Sequence, residues 1–323
     1  GLMFTPLAPL DEPAIFEAPM RCTGCGACLC PAASHSDLKF WRCPFCNQMT
    51  PVSSMTGFAH GHSNATAEYA LEEVVEDRPL FVLVVDQCSE RKRFAKMRDA
   101  VTAALALLPD DADVGFLTFC GTARVHDVSM GGHTLTFAVD PLGDPDELEG
   151  RWFCSAGDVS GEIEAILARI EESNPEKNPR RCTGTALMTA LNMIAASNRT
   201  GAHLLLFTDG PCNHGQGKIT DDIPRSWADI RTGQTTLSAE ATDFYEILAT
   251  TAIASKTRVS MIAASQIDVG LMEMRPLIQC TGGVALMGVR FDEPALRASM
   301  HELLTREWAR DARMVVQCMR SEE

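Results

Sequence analysis

Short apolar runs alternate with segments of helical periodicity between residues 79 and 310. The first run, Phe81 to Val85, is a continuous apolar stretch typical of a strand buried on both faces. After it, apolar residues recur at helical spacing from Phe94 to Leu108, which predicts an amphipathic helix. Further strands are predicted at 114–119, 124–128, 134–139, 203–208, 257–264 and 283–287. Further helices are predicted at 163–170, 186–196, 239–255, 269–279 and 293–309.

This alternation predicts an α/β domain over residues 79–310, with a doubly wound, mostly parallel sheet and helices on both faces. The pattern elsewhere differs. Residues 1–20 are rich in proline and apolar residues without periodicity, which indicates an extended segment. Residues 51–78 have a linker composition, and residues 140–160 predict an acidic loop rich in Gly, Pro and Asp.

Composition limits the class of protein. A chain of 323 residues, 46% of them hydrophobic, is long enough to bury a substantial core. The net charge of −15 argues against nucleic-acid binding, which needs clustered Lys and Arg. No apolar run has the length of a membrane span, and no signal peptide is recognised, so we expect a cytoplasmic protein. Seven of the 13 cysteines are scattered along the chain, mostly in apolar runs, as buried free thiols in a reducing compartment would be.

Two cysteine pairs form the strongest chemical motif. Cys22 and Cys25 are followed, after 17 intervening residues, by Cys43 and Cys46. Two C-x₂-C turns at this spacing predict a zinc ribbon over residues 21–50, in which four thiolates bind one tetrahedral Zn²⁺. All four ligands come from the protein, so no position is left for water and the zinc is expected to be structural. Buried free thiols are the alternative interpretation.

Other residues of the ribbon have predicted roles as well. Trp41 and Phe45 flank the second pair, and such aromatics usually cover the metal in a module too small for a core of its own. Cys28 and Cys30 lie in the loop between the pairs and are candidate spare or alternative ligands.

A second candidate site lies at predicted strand ends. Asp86 ends the first strand of the domain, Thr185 lies at a helix start and Asp209 follows a later strand. This arrangement resembles the adhesion-type metal site of von Willebrand factor A domains, with its Asp-x-Ser-x-Ser loop, its Thr and its Thr-Asp-Gly turn. Here Cys88 and Glu90 replace the two serines, and a thiol is a poor ligand for Mg²⁺. The site is therefore either a working metal site or a vestigial one whose polar residues cap loops and helix termini.

A ribbon directly ahead of an A-type domain, together with several short blocks, resembles one family. The blocks include Phe4-Thr-Pro-Leu7, Arg225-Ser-Trp227-x-Asp229-Ile230, Gly270-Leu-Met-Glu273-Met274 and Thr281-Gly-Gly283. In this order they resemble the GTPase-activating inner-coat subunit of coat protein complex II (COPII), from about residue 4 to the end of the chain. The Arg225 and Gly270 blocks favour this subunit over its cargo-adaptor sister.

The resemblance implies a von Willebrand factor A-like trunk, and residues 311–323 as the opening strand of a truncated β-sandwich. It implies a trunk–trunk heterodimer with the cargo-adaptor subunit and contact with a Sar-type small GTPase in its GTP state. It also implies a peripheral position on endoplasmic reticulum membrane and COPII vesicles, in transport to the Golgi, with no nucleic acid. The family activates its GTPase with an arginine from a downstream region, so no arginine of this chain is assigned that role.

The loop that carries Arg225, Trp227 and Asp229 is a candidate partner-binding surface. Its alternative interpretation is a loop held by a buried Trp and an Arg–Asp pair. We recognise no nucleophile elbow and no glycine-rich phosphate loop, so the chain is predicted not to be an enzyme. Three other functions stay open: the cargo-adaptor sister, a zinc-ribbon and A-domain scaffold outside vesicle transport, and a metal-dependent adhesion module.

Overall fold

A computed structural model describes residues 19–36, 39–53, 78–129, 133–137, 152–172, 180–220 and 235–305. The chain divides into two compact units. The described part of the first unit is residues 19–36 and 39–53, and the second unit is Arg78–Arg306. Nearly all of the predicted segments 1–20 and 51–78, and all of 311–323, lie outside the described residues, so the predicted domain division stays a prediction.

The first unit contains a small antiparallel sheet. Its strands are β1 (Ser34–Ser36), β2 (Phe40–Arg42) and β3 (Met49–Pro51), paired in that order. Successive side chains of β2 alternate between water and the interior, because a strand has a period of two residues. Trp41 is therefore fully buried between two exposed neighbours, and it packs in one cluster with Cys22 and Cys43. Trp41 thus packs beside two of the predicted ligands, and its covering role stays a prediction.

The second unit is an α/β domain. Its strands are β4 (Leu80–Asp86), β5 (Asp113–Phe119), β6 (Ala123–Asp127), β7 (His133–Phe137), β8 (Cys154–Ser155), β9 (His203–Thr208), β10 (Arg258–Ala264) and β11 (Ala285–Gly288). Its helices are α1 (Arg91–Leu105), α2 (Ala156–Glu172), α3 (Thr183–Ala196), α4 (Thr235–Ala254), α5 (Leu271–Cys280) and α6 (Pro294–Thr305).

The strand order is β11-β10-β9-β4-β5-β6-β7, with β8 paired to the start of β5. From β11 to β5 every pair is parallel, whereas β6, β7 and β8 pair antiparallel. The helices fall into two packed groups, α1 with α2 and α6, and α3 with α4 and α5. The predicted α/β class, with a doubly wound and mostly parallel sheet, is thus confirmed.

The β4 strand lies between β5, the next strand in sequence, and β9, a much later one. The strands that directly follow β4 in sequence therefore extend the sheet on one side of β4, and the later strands extend it on the opposite side. In doubly wound sheets, the carboxyl ends of strands at such a reversal form the usual ligand-binding crevice. Asp86 is the last residue of β4, so the fold places this carboxylate at that position.

Most predicted elements differ from the structure by a few residues at one or both ends, and two differences have a clear cause. The predicted loop 140–160 ends early, because β8 and the first turn of α2 occupy 154–160. Ala156 and Val159 are buried and extend the apolar stripe of the helix toward its start, ahead of Ile163 where periodicity was recognised. The last strand begins at Ala285 and not at 283. Gly283 lies so close to β10 that an added Cβ would be 1.8 Å from the carbonyl oxygen of Val259.

Candidate functional site

The four predicted zinc ligands converge in the first unit. Their Sγ atoms all lie within 4.8 Å of one another. The Sγ–Sγ distance is 3.5 Å between Cys22 and Cys46 and 3.6 Å between Cys25 and Cys43. A tetrahedral zinc with Zn–S bonds of about 2.3 Å requires sulfur atoms roughly 3.8 Å apart. The thiol arrangement therefore fits a structural zinc site, as the spacing predicts.

Both cysteine pairs lie on the same kind of turn. In each, the amide of the first cysteine donates a hydrogen bond to the carbonyl five residues later, at 2.8 and 3.0 Å. The residue after the second cysteine is left-handed in both turns, with φ of 74° at Gly26 and 61° at Asn47. Glycine and asparagine are the residues that adopt this conformation most readily. Gly26 and Asn47 each follow the second cysteine of a pair, so these two residues support the prediction of a ribbon independently of the cysteine spacing.

The surroundings of Cys22 favour its thiolate, whereas burial raises the pKa of Cys43. Burial also raises the pKa of Cys22, but hydrogen bonds from the backbone amides of Cys25 and Gly24, together with those of the Thr50 and Cys46 side chains, outweigh it and lower that pKa to about 6. The Gly24 amide lies 3.3 Å from the Cys22 sulfur. The thiolate is the form that binds zinc. Within the described part of the chain, the metal-ligating group consists of the four cysteines and includes neither Cys28 nor Cys30.

At the sheet edge, the structure brings Asp86 and Asp209 together around a residue that sequence reasoning missed. Arg181 Nε lies 2.5 Å from Asp86 Oδ2, and Arg181 Nη2 lies 2.5 Å from Asp209 Oδ1. All three side chains are buried, at 6% exposure for the arginine and 0% and 5% for the carboxylates. Arg181 comes from a basic turn 95 residues beyond Asp86, so nothing in local sequence pairs the two.

Further hydrogen bonds hold the carboxylates in place. Asp86 Oδ2 accepts from Thr208 Oγ1 at 2.9 Å, and Asp86 Oδ1 accepts from the Cys88 amide at 2.8 Å. Arg93 Nε approaches the second oxygen of Asp209 at 3.4 Å. Although burial by itself lowers the pKa of Arg181, the charges of the two carboxylates raise it above its usual value. The guanidinium is therefore charged at any pH at which the fold is stable.

The candidate metal site also includes Thr185 and the loop position occupied by Cys88. Thr185 is the third residue of α3 and is fully buried, and its Oγ1 has no hydrogen-bond partner. The Cys88 sulfur lies 3.4 Å from the carbonyl oxygen of Arg180. A hydrogen bond with Cys120 and burial raise the pKa of Cys88, so it is a neutral thiol. Of the predicted set, the structure thus brings Asp86 and Asp209 together through a protein cation, and Thr185 lies four residues beyond that cation in the chain.

The predicted partner-binding residues Arg225, Trp227 and Asp229 lie outside the described residues, within 221–234. Their role stays a prediction. Among the helices that the structure describes, none combines the length and apolarity needed to cross a bilayer.

Fold and site together define a zinc ribbon joined to an α/β trunk with a parallel central sheet. Two family models match the chain in that order. The Sec23/Sec24 zinc finger matches residues 19–55, and the Sec23/Sec24 trunk domain matches residues 76–310. The chain therefore belongs to the Sec23/Sec24 family. The zinc-finger match spans all four clustered cysteines, so family and geometry agree on a structural Zn²⁺ site.

Solved structures share the fold at low sequence identity. The human COPII-coat protein Sec24c superposes with a TM-score of 0.65 at 17% identity, over 92% of this chain and 45% of that one. The chain thus spans less than half the length of Sec24c. A von Willebrand factor type A protein from Catenulispora acidiphila is more distant, with a TM-score of 0.43 at 15% identity over 71% of this chain and 42% of that one.

Proposed function

We propose that this chain is the zinc-finger and trunk part of an inner-layer subunit of the COPII vesicle coat, acting in endoplasmic reticulum to Golgi transport. One observation carries the proposal: a zinc finger is followed by a trunk in the order of a single coat family, over nearly all of the described residues. A likeness to the A-type fold alone would leave many functions open, because one fold hosts many of them.

In this proposal the chain works by binding and not by catalysis on a small substrate. The trunk pairs with the trunk of the cargo-adaptor subunit and contacts a Sar-type GTPase in its GTP state, at the surface of the endoplasmic reticulum membrane. An arginine finger must reach into the GTPase active site to neutralise charge on the γ-phosphate. Arg181 cannot do so, because it is buried between two carboxylates of its own chain. Since the resemblance assigns the finger to a downstream region of the family, the chain alone is expected to be inactive or weak as a GTPase activator.

The cargo-adaptor sister subunit is the second candidate. The family models name Sec23 and Sec24 together, and one solved coat protein that shares the fold is Sec24c. The Gly270–Met274 block, one of the two that favour the GTPase-activating subunit, contains residues with a structural role. Gly270 precedes α5 with a φ of 83°, and Glu273 accepts a hydrogen bond from Ser238 on α4 at 2.6 Å. These contacts hold the α4–α5 junction, so this block discriminates weakly between the two subunits.

Binding to purified partners tests the proposal. The chain is titrated with the trunk of an adaptor-type subunit, the trunk of a GTPase-activating-type subunit, and a Sar-type GTPase loaded with GTP or GDP. Micromolar or tighter binding to the adaptor trunk and to the GTP form identifies a GTPase-activating-type subunit. Binding to the activating-type trunk instead identifies the adaptor sister. Binding to none of them would overturn the coat function and leave the fold and zinc site unaffected.

The candidate surface is tested in the same assay. Arg225→Ala is expected to weaken partner binding at least tenfold if the 225–229 loop contacts the partner, because interface arginines are often energetic anchors. Arg275→Ala is the matched control, since Arg275 is an exposed arginine on α5 that hydrogen-bonds to Gln279 of the same helix. Equal losses in both variants would indicate a general charge effect and would remove the loop from the proposed interface.

A further inference from the structure

The buried carboxylate pair lies where an A-type domain holds a divalent ion. Asp86 ends β4 and Asp209 directly follows β9, so both carboxylates are at the carboxyl edge of the sheet beside the strand-order reversal. The fold therefore implies a metal at this edge. The surroundings of the two carboxylates test whether an ion fits.

The charge of the pair is already balanced. Two carboxylates carry two negative charges, and the guanidinium groups of Arg181 and Arg93 contact them. Because Arg181 contacts both acids and is itself buried, a metal ion could approach them only by displacing a buried, paired cation. Displacement would leave an unpaired charge in the interior, which is strongly unfavourable. The neutral cluster offers a divalent cation no net attraction.

The space beside the carboxylates is also filled. An added Cβ on Gly210 would lie 2.3 Å from Arg181 Nη1, so the guanidinium packs directly against the backbone of the Thr208-Asp209-Gly210 turn. Only a residue without a side chain allows this close approach. The glycine of this turn therefore makes room for an arginine in this protein.

The loop after β4 offers fewer oxygen ligands than the loop of an adhesion-type site, although the buried Thr185 hydroxyl has no hydrogen-bond partner and two carboxylates are present. Mg²⁺ requires six ligands in near-ideal octahedral geometry, mostly oxygen atoms. Position 88 presents a thiol whose sulfur lies near the Arg180 carbonyl, and its backbone amide already binds Asp86 Oδ1. Glu90 is exposed just before α1. Positions 88 and 90, which are serines in an adhesion-type site, therefore carry no hydroxyl in this protein.

We propose that Arg181 is the resident cation of this pocket. Its guanidinium takes the place of the divalent ion that the fold family holds there, by bridging Asp86 and Asp209. The trunk consequently neither binds nor needs a divalent ion at this edge. The inference rests on the geometry of the cluster and is independent of the proposed coat function.

Manganese titration of the zinc-loaded chain tests this inference. Free Mn²⁺ is followed by its electron paramagnetic resonance signal, with wild type compared with Asp209→Asn. Mn²⁺ prefers oxygen ligands, so the thiolate ribbon does not compete for it. Wild type and Asp209→Asn are expected to give the same weak binding to the acidic surface. A stoichiometric Mn²⁺ site in wild type that is lost in Asp209→Asn would overturn the proposal.

Removing the guanidinium provides the complementary test. Arg181→Ser leaves two buried carboxylates and adds a hydroxyl, so this variant is expected to gain one Mn²⁺ equivalent, bound at least tenfold more tightly than by wild type. The double variant Arg181→Ser/Asp209→Asn is expected to lose it again. A folded Arg181→Ser chain without a gained site would contradict the idea that the guanidinium excludes the ion. Should Arg181→Ser not fold, the comparison of wild type with Asp209→Asn still decides the question.

Discussion

His126, on β6, shows how the environment of a single residue sets its chemistry. Its Nε2 lies 2.8 Å from Thr118 Oγ1, and its Nδ1 lies 3.1 Å from Thr134 Oγ1. Burial, together with the charges of Arg124 and Arg169, lowers the pKa of His126 from 6.5 to about 4. The imidazole is therefore neutral in the folded protein, with both ring nitrogens next to hydroxyl groups. It has a structural role in the sheet.

The depressed pKa of His126 predicts a loss of stability in acid. In the unfolded chain the histidine takes up a proton near pH 6.5, whereas in the folded chain it does so only near pH 4. The unfolded state binds more protons between these values, so the free energy of unfolding falls as pH decreases through this window, by about 3 kcal/mol in total. Urea unfolding of wild type and His126→Gln from pH 7 to pH 4 measures this contribution.

The variant should show a shallower pH dependence of stability than wild type. His301→Gln is the control for replacing a histidine as such, because His301 is exposed on α6. A slope identical in wild type and His126→Gln would show that this histidine does not titrate with folding.

At the scale of elements, the first turn of α3 is held closely against the loop that follows β9. An added Cβ on Gly184 would lie 2.1 Å from the carbonyl oxygen of Gln216 and 2.8 Å from a ring carbon of Phe244. α3 is buried along most of its length. Its start therefore depends on a glycine for packing, although glycine is a poor helix former.

Gly184→Ala is expected to destabilise the trunk by about 2–3 kcal/mol, because the added methyl group overlaps backbone that cannot move freely. Gly161→Ala is the matched control within α2. Gly161 is exposed and has open space around its missing Cβ. Alanine should stabilise the helix there by about 0.5–1 kcal/mol, through the lower backbone entropy of the unfolded chain. Thermal or urea unfolding of both variants checks the prediction, and equal effects at the two positions would contradict it.

Periodicity predicted most of these elements because it reflects local burial, which each segment shows in its own sequence. The β9 strand was predicted with the bounds it has, since all six of its residues are buried and the central four are apolar. Element ends were less predictable. The start of α2 depends on β8, a short strand that exists only through its pairing with β5. That pairing is not visible in the segment itself.

At the scale of the whole molecule, the two units have separate hydrophobic cores of very different size. The first is a small cluster around Trp41 and the cysteines, whereas the second spans the sheet and its helices. Zinc should therefore be essential to the first unit only. Structural zinc in such modules contributes apparent binding free energies of about 10–16 kcal/mol at neutral pH.

Cys43→Ser is expected to lose the zinc and to unfold residues 20–50, while Arg78–Arg306 stays folded. Cys28→Ser is the control, because Cys28 is exposed and outside the ligating group. It should retain one zinc per chain. Elemental analysis gives the metal content, and hydrogen exchange read by mass spectrometry reports each unit separately. One equivalent of zinc retained in Cys43→Ser would count against the four-cysteine site.

The sequence by itself determined the α/β class, most of the strands and helices of the trunk, and the four zinc ligands. These features depend on local periodicity and on cysteines spaced within two short turns. Only the tertiary structure decided what lies at the sheet edge. Asp86, Arg181 and Asp209 come from three separate segments, and their charges meet only because β4 and β9 are neighbours in the sheet. Such a contact depends on strand order over more than a hundred residues, and no local pattern encodes it.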